Sequence, residues 1–258
     1  MNFEYVEVAR DGHLTTITIN RPAAHNALNA AAHRELEVVF DDYQADDSQW
    51  VAIITGAGEK AFCAGHDLKQ QAAGGGLDTP PSGFAGITSR FDLDKPVIAA
   101  VNGVAMGGGF EIALACDIVV ASPNAIFALP EPRVGIAALA GGLQRLPKKI
   151  GLGHAMGMML TGRRVSAAEG HTLGFVNEVV ETDLLGAARR WADQILECSP
   201  MSIRATKQAV LRGLSASVED GMVCEWEYSA MKAMLSSHDY VEGPLAFSEK
   251  RQPNWTGQ

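Results

Sequence analysis

Two acidic side chains sit where acids are not expected. Glu111 falls in the first turn of an otherwise apolar helical run, Ile112-Ala113-Leu114-Ala115, and twenty residues later Glu131 is held between Pro130 and Pro132. Flanking prolines restrict the neighbouring backbone torsions, which suits a side chain that must be aimed. Two glycine-rich bends accompany them, Phe62-Cys63-Ala64-Gly65-His66-Asp67-Leu68 and Met106-Gly107-Gly108-Gly109-Phe110-Glu111. Small residues let a ligand approach the backbone, and a helix opening at such a bend leaves N–H groups without partners. Two such donors converging on one oxygen form an oxyanion hole, and two carboxylates on one face can exchange a proton with a substrate. The same features also suit a pair of tight turns, a helix-dipole partner at Glu111 and a surface acid at Glu131.

The elements that must position these residues alternate. A hairpin is expected over 3–19, turning at Asp11-Gly12, then a helix from about Ala30 that ends in a polar break over 41–47. Strands follow at 51–55, 97–101 and 117–121, with a helix from Gly108 between the last two. This alternation is that of parallel α/β units. Beyond about residue 140 helical spacing dominates, at 143–160, 167–173, 184–196, 201–211 and 218–234, with one short strand near 176–180. Gly74-Gly75-Gly76 to Pro80-Pro81 reads as a flexible loop.

Other chemistries find no support. Gly56-Ala57-Gly58-Glu59-Lys60-Ala61 matches G-x-G-x-x-A, but Cys63-Ala64-Gly65 adds a second turn where a dinucleotide fold needs a helix, so a plain turn is expected. Gly151, Gly153 and Gly157 read as helix-packing glycines. The histidines never fall at metal-ligand spacing; His13, His25, His33, His154, His171 and His238 are read as surface or satisfied residues. Cys63, Cys116, Cys198 and Cys224 lie too far apart for a zinc site or a disulfide framework. No metal is expected, and no cofactor beyond the substrate's own.

Composition sets wider bounds. The 258 residues, 47% of them hydrophobic and 20% charged, are enough for a sizeable core and exclude general disorder. A net charge of −9 argues against nucleic acid or an anionic membrane as partner. The longest nearly apolar stretch, 97–110, is interrupted by Asn102 and shorter than the ~20 residues a membrane span needs. Met1-Asn2-Phe3-Glu4 has no basic region before an apolar one, so no signal peptide and a cytoplasmic location are expected.

Several motifs, in order and nearly end to end, resemble the enoyl-CoA hydratase/isomerase (crotonase) family. They are Lys60-Ala61-Phe62-Cys63-Ala64-Gly65-His66-Asp67-Leu68, Pro96-Val97-Ile98-Ala99-Ala100-Val101-Asn102-Gly103 and Gly107-Gly108-Gly109-Phe110-Glu111, followed by Ala128-Leu129-Pro130-Glu131 and Gly141-Gly142-Leu143-Gln144-Arg145-Leu146. The tail from Glu242 to Arg251 is similar as well.

The resemblance implies an α/β, crotonase-like spiral of ββα turns over 1–195, carrying an acyl-CoA site, and a helical trimerisation region over 196–258. It places the oxyanion donors on the backbone N–H groups of His66 and Gly108 and the catalytic acids on Glu111 and Glu131. It puts substrate and CoA contacts at Ala64, His66, Asp67, Leu68, Lys69 and Gly108, and at Phe247 and Lys250, which would reach a CoA bound in a neighbouring subunit of a homotrimer or dimer of trimers.

Both acids together point to a hydro-lyase acting on an acyl-CoA thioester, with 2-enoyl-CoA hydration as the first expectation. Carnitinyl-CoA dehydration is the alternative, because 51–60, Gly83-Phe84-Ala85-Gly86 and the tail are similar to carnitinyl-CoA dehydratases. The apolar run Gly135-Ile136-Ala137-Ala138-Leu139-Ala140 speaks for the first over the second. An isomerase or a non-catalytic CoA- or RNA-binding homologue follows after these. Within the pair, Glu111 near a helix N-terminus is expected to be the anion and Glu131 the protonated partner, while His66 shapes the pocket.

Overall fold

A computed structural model describes residues 3–67 and 78–258. β1 (Val6–Asp11) and β2 (Leu14–Ile19) form the expected hairpin. α1 (Ala30–Ala45) is capped by the Asn29 side chain, which accepts from the Ala32 N–H at 2.8 Å, and it buries Ala32, Leu36, Val39, Phe40 and Tyr43 along one helical stripe. The polar break expected at 41–47 is therefore wrong. Asp41 and Asp42 merely occupy the outer face while Tyr43 keeps the inner face apolar for another turn.

β3 (Val51–Gly56), β4 (Ala61–Cys63), β5 (Val97–Val101) and β6 (Val104–Met106) lead to α2 (Gly108–Ala115). β7 (Ile118–Ala121) and β8 (Ile126–Ala128) precede α3 (Gly142–Ile150), α4 (Leu152–Thr161), β9 (Val165–Ser166), α5 (Ala167–Leu173) and β10 (Glu178–Val179). One sheet runs β1-β2-β3-β5-β7-β10 and is parallel from β2 onward; the other runs β4-β6-β8-β9 and is parallel from β4 to β8. The architecture is the mixed α/β spiral of repeated ββα units expected from the motifs, with a helical C-terminal part. β3 is buried on both faces. Ala52 and Ile54 join the main core, while Val51 and Ile53 pack toward Ala187, Ala188 and Ala192 of α6 (Leu184–Leu196).

The chain continues through α7 (Pro200–Gly213), α8 (Val218–Cys224), α9 (Ser229–Leu235) and α10 (His238–Glu249). Ion pairs tie α7 to the entrances of β5 and β7: Arg204–Asp94 at 3.0 Å and Lys207–Asp117 at 2.8 Å. The single helix expected over 143–160 is two, because Gly151 sits at φ 77° and turns the chain between α3 and α4. The run 218–234 is likewise divided by a 3-10 turn at Glu225–Glu227. Gly151, Gly153 and Gly157 are not packing glycines, since a Cβ at any of them would meet nothing within 4 Å. The Gly56–Gly58 segment is a plain turn as expected, closed by the Asn102 amide, which donates to the Gly56 and Gly58 carbonyls at 2.9 and 2.6 Å.

Candidate active site

The two glycine-rich bends meet. Gly65, at φ 91°, lies so close to the second bend that a Cβ there would stand 2.8 Å from the Met106 carbonyl oxygen and 3.3 Å from the Gly108 nitrogen. Its carbonyl accepts from the Leu28 N–H at 2.8 Å, and the Asp67 N–H donates to the Leu28 carbonyl at 2.9 Å. Strand alternation then turns the N–H of His66, between them, away from Leu28. Gly107, at φ 54°, ends β6 and opens α2, so the Gly108 N–H belongs to the helix's unpaired first turn. Gly109 must be glycine as well: a Cβ would lie 1.9 Å from the Cys63 carbonyl oxygen.

These bends line a cavity of about 430 Å³ that also contains both acids. Glu111 is 3% exposed and its Oε1 accepts the Gly142 N–H at 2.8 Å. Burial pushes its carboxyl up to about 7, against the Gly142 hydrogen bond and with help from the neighbouring Glu131. At Glu111 desolvation thus opposes the helix N-terminus, which was expected to favour the anion. Glu131 is 7% exposed at the start of the 3-10 turn Glu131–Val134, and burial raises its carboxyl too. Its Oε2 is buried without a hydrogen-bond partner among the described residues, an oxygen open to something that enters the cavity.

Ala64, His66, Gly108, Glu111 and Glu131 are thus brought together. The His66 ring borders the cavity, and burial lowers its pKa, with Asp67 opposing. The Asp67 carboxylate pairs with Arg21 at 3.2 Å instead of entering the cavity. Leu68 and Lys69 lie outside the described residues. Phe247, 88% exposed, and Lys250, the left-handed cap of α10, lie away from the cavity of their own chain. The expected apolar run does line the cavity, through Ile136, Ala137, Leu139 and Ala140.

Three contributors had no assigned role in the sequence reading. The Gly142 N–H holds Glu111, and Arg145 fastens the same helix by donating to the Thr88 carbonyl at 2.7 Å. Phe84 covers Gly108 with its ring. Each belongs to a motif noted for its resemblance, but only proximity across the fold reveals what it touches. His33, read as surface or satisfied, is fully buried, and its Nε2 has no partner among the described residues.

The profile of the enoyl-CoA hydratase/isomerase family matches residues 10–258. The chain is 45% identical to the carnitinyl-CoA dehydratase of Proteus mirabilis (strain HI4320) over 263 residues, covering 95% of this chain and 98% of that one. It is 45% identical to that of Escherichia coli (strain K12) over 260 residues, covering 99% of each. Among solved structures, an enoyl-CoA hydratase from Mycobacterium tuberculosis H37Rv superposes with a TM-score of 0.92 at 39% identity, over 98% of this chain and 99% of that one. With similarity over nearly the whole chain in both sequence and fold, this protein belongs to the enoyl-CoA hydratase/isomerase family, enzymes of hydratase and isomerase chemistry on CoA thioesters.

Proposed function

We propose that the protein catalyses the reversible addition of water across the 2,3 double bond of a 2-enoyl-CoA thioester. The N–H groups of His66 and Gly108 receive the thioester oxygen and stabilise the negative charge that builds there. One such donor contributes about 2.7–4 kcal/mol in a comparable acyl-transfer site. The ionised carboxylate of the Glu111/Glu131 pair takes a proton from water as the water oxygen bonds to C3. The protonated partner delivers its proton to C2, so the pair exchanges its single proton in each turnover. The observation that carries this reading is the pair itself, two buried carboxyls of raised pKa beside the same bend, one with an oxygen unpartnered.

For the acyl group, relatives at 44–45% identity favour crotonobetainyl-CoA and carnitinyl-CoA over the general enoyl substrate first expected. The general hydratase is the second reading, favoured by the apolar wall of Val134, Ile136 and Leu139. Supplying crotonobetainyl-CoA and crotonyl-CoA in parallel, and following loss of the conjugated-thioester absorbance without added cofactor, separates them. A faster reaction with the first supports the carnitinyl reading, a faster one with the second the general reading, and no reaction with either overturns both.

The same reading assigns residues 196–258 to assembly as a homotrimer or dimer of trimers, with Phe247 and Lys250 presented to the CoA of a neighbouring subunit.

A further inference from the structure

His33 is fully buried on α1, and its Nδ1 accepts the Ala85 N–H at 3.0 Å. A neutral ring accepting at Nδ1 carries its proton on Nε2, and that nitrogen has no partner among the described residues. Burial holds the ring neutral, with a pKa lowered to about 4. An unpaired buried donor is costly, and an apolar side chain would fill the space without it. The bond to Ala85 is what the histidine adds.

Ala85 is a non-glycine residue in the left-handed region, at φ 55° and ψ 23°, within a short turn between Gly83 and Gly86. One side of this turn rests on α1: a Cβ at Gly86 would stand 2.4 Å from the Glu37 Cα. Arg90 binds the two together by donating to the Gly86 carbonyl at 2.6 Å and the Glu37 carbonyl at 3.1 Å. On the other side the Phe84 ring stands edge-on to His33, with centroids 4.4 Å apart, and covers Gly108. A Cβ at Gly108 would lie 2.4–2.8 Å from three of its ring atoms.

We propose that His33 is a positioning residue for the oxyanion hole: by holding Ala85 left-handed through Nδ1, it seats Phe84 against Gly108 and fixes the Gly108 N–H. This rests on the reading of Gly108 as an oxyanion donor. His33 touches no reacting atom and acts through two contacts.

The test compares substitutions at His33 in the full-length protein. The amide oxygen of His33→Asn falls near the position of Nδ1 and keeps the acceptor; His33→Leu removes it. His33→Leu is expected to lower kcat about ten-fold, part of the 10²–10³ lost with a whole donor, with KM changed by less than about three-fold. His33→Asn is expected to stay within about two-fold of wild type on the same reasoning. Adding Ala85→Gly to His33→Leu should recover kcat, because glycine adopts the left-handed turn without strain. A conjugated acyl-CoA bound to His33→Leu should also show a smaller red-shift than on wild type, since its carbonyl is less polarised.

Unchanged kcat in His33→Leu, or equal losses in Leu and Asn, overturns the proposal. Should the Leu variant fail to fold, His33→Gln, whose oxygen lies one bond further out, takes its place under the same criteria. A wild-type protein inactive on every enoyl-CoA overturns the hydro-lyase reading, and this proposal with it.

Discussion

At the scale of single residues, the proposed function rests on two buried carboxyls. Glu111→Gln and Glu131→Gln should each lower kcat by at least about 10²-fold, as expected for loss of a general acid or base, while circular dichroism stays native. Wild-type rates in both would remove these acids from the mechanism. Burial of Glu111 also makes a stability prediction. Its folded pKa, about 7, lies above the ordinary 4.5, so the folded state binds the proton more tightly than the unfolded chain. The sign follows: stability falls as pH rises from about 4.5 to 7, and the deficit is complete above 7. Glu111→Gln should therefore raise Tm at pH 8, with a gain that disappears near pH 4. Its size is on the order of 3 kcal/mol at most, at 1.36 kcal/mol per pKa unit. An equal Tm difference at both pH values would contradict the assignment. Both acids stood out in the sequence because each breaks its local pattern, and the family resemblance supplied the role expected of them. That burial raises both carboxyls was not legible there, because desolvation depends on what Gly142 and the cavity wall bring from elsewhere in the chain.

At the scale of elements, the long parallel strands and most helices followed from periodicity. The second sheet did not: β4, β6 and β8 have three residues each and β9 two, too few for alternation to register. Yet β4 and β6, paired at Ala61–Val104 and Cys63–Ala105, bring the two bends side by side. Their approach leaves no room for a methyl group at Gly109, where a Cβ would meet main-chain atoms of Cys63 and not a movable side chain. Gly109→Ala should destabilise the protein by about 1–3 kcal/mol or more through overpacking, seen as a lower denaturation midpoint or loss of soluble protein. Gly153→Ala, inside α4 with open space around it, should be neutral or slightly stabilising by comparison.

At the scale of the whole molecule, the helical C-terminal part is incompletely covered by its own chain. α8 has no buried residue, and Val218, Met222, Val223 and the adjoining Trp226 are all well exposed. The assembly proposed for residues 196–258 would cover this apolar surface. The protein is predicted to sediment as an oligomer, and Val218→Asp combined with Trp226→Asp to shift it toward smaller species. A wild-type monomer at micromolar concentration would refute the assembly proposed for residues 196–258. The last residues hold this region in place: Asp239 accepts the Thr256 N–H at 2.9 Å, and the Trp255 ring N–H donates to the Glu197 carbonyl at 2.9 Å. No helix among the described residues is long and apolar enough to cross a membrane.

The amino-acid order by itself determined the alternating strands and helices, the two glycine bends and the presence of both acids, because each leaves a local mark in spacing or composition. Only the tertiary structure decided that Phe84 covers Gly108, that Gly142 grips Glu111, and that His33 is an inward-facing acceptor rather than a surface ring. These depend on groups separated by 24, 31 and 52 positions meeting in a buried interior. There, unpaired polar atoms and suppressed charge arise from packing, which no window along the chain contains.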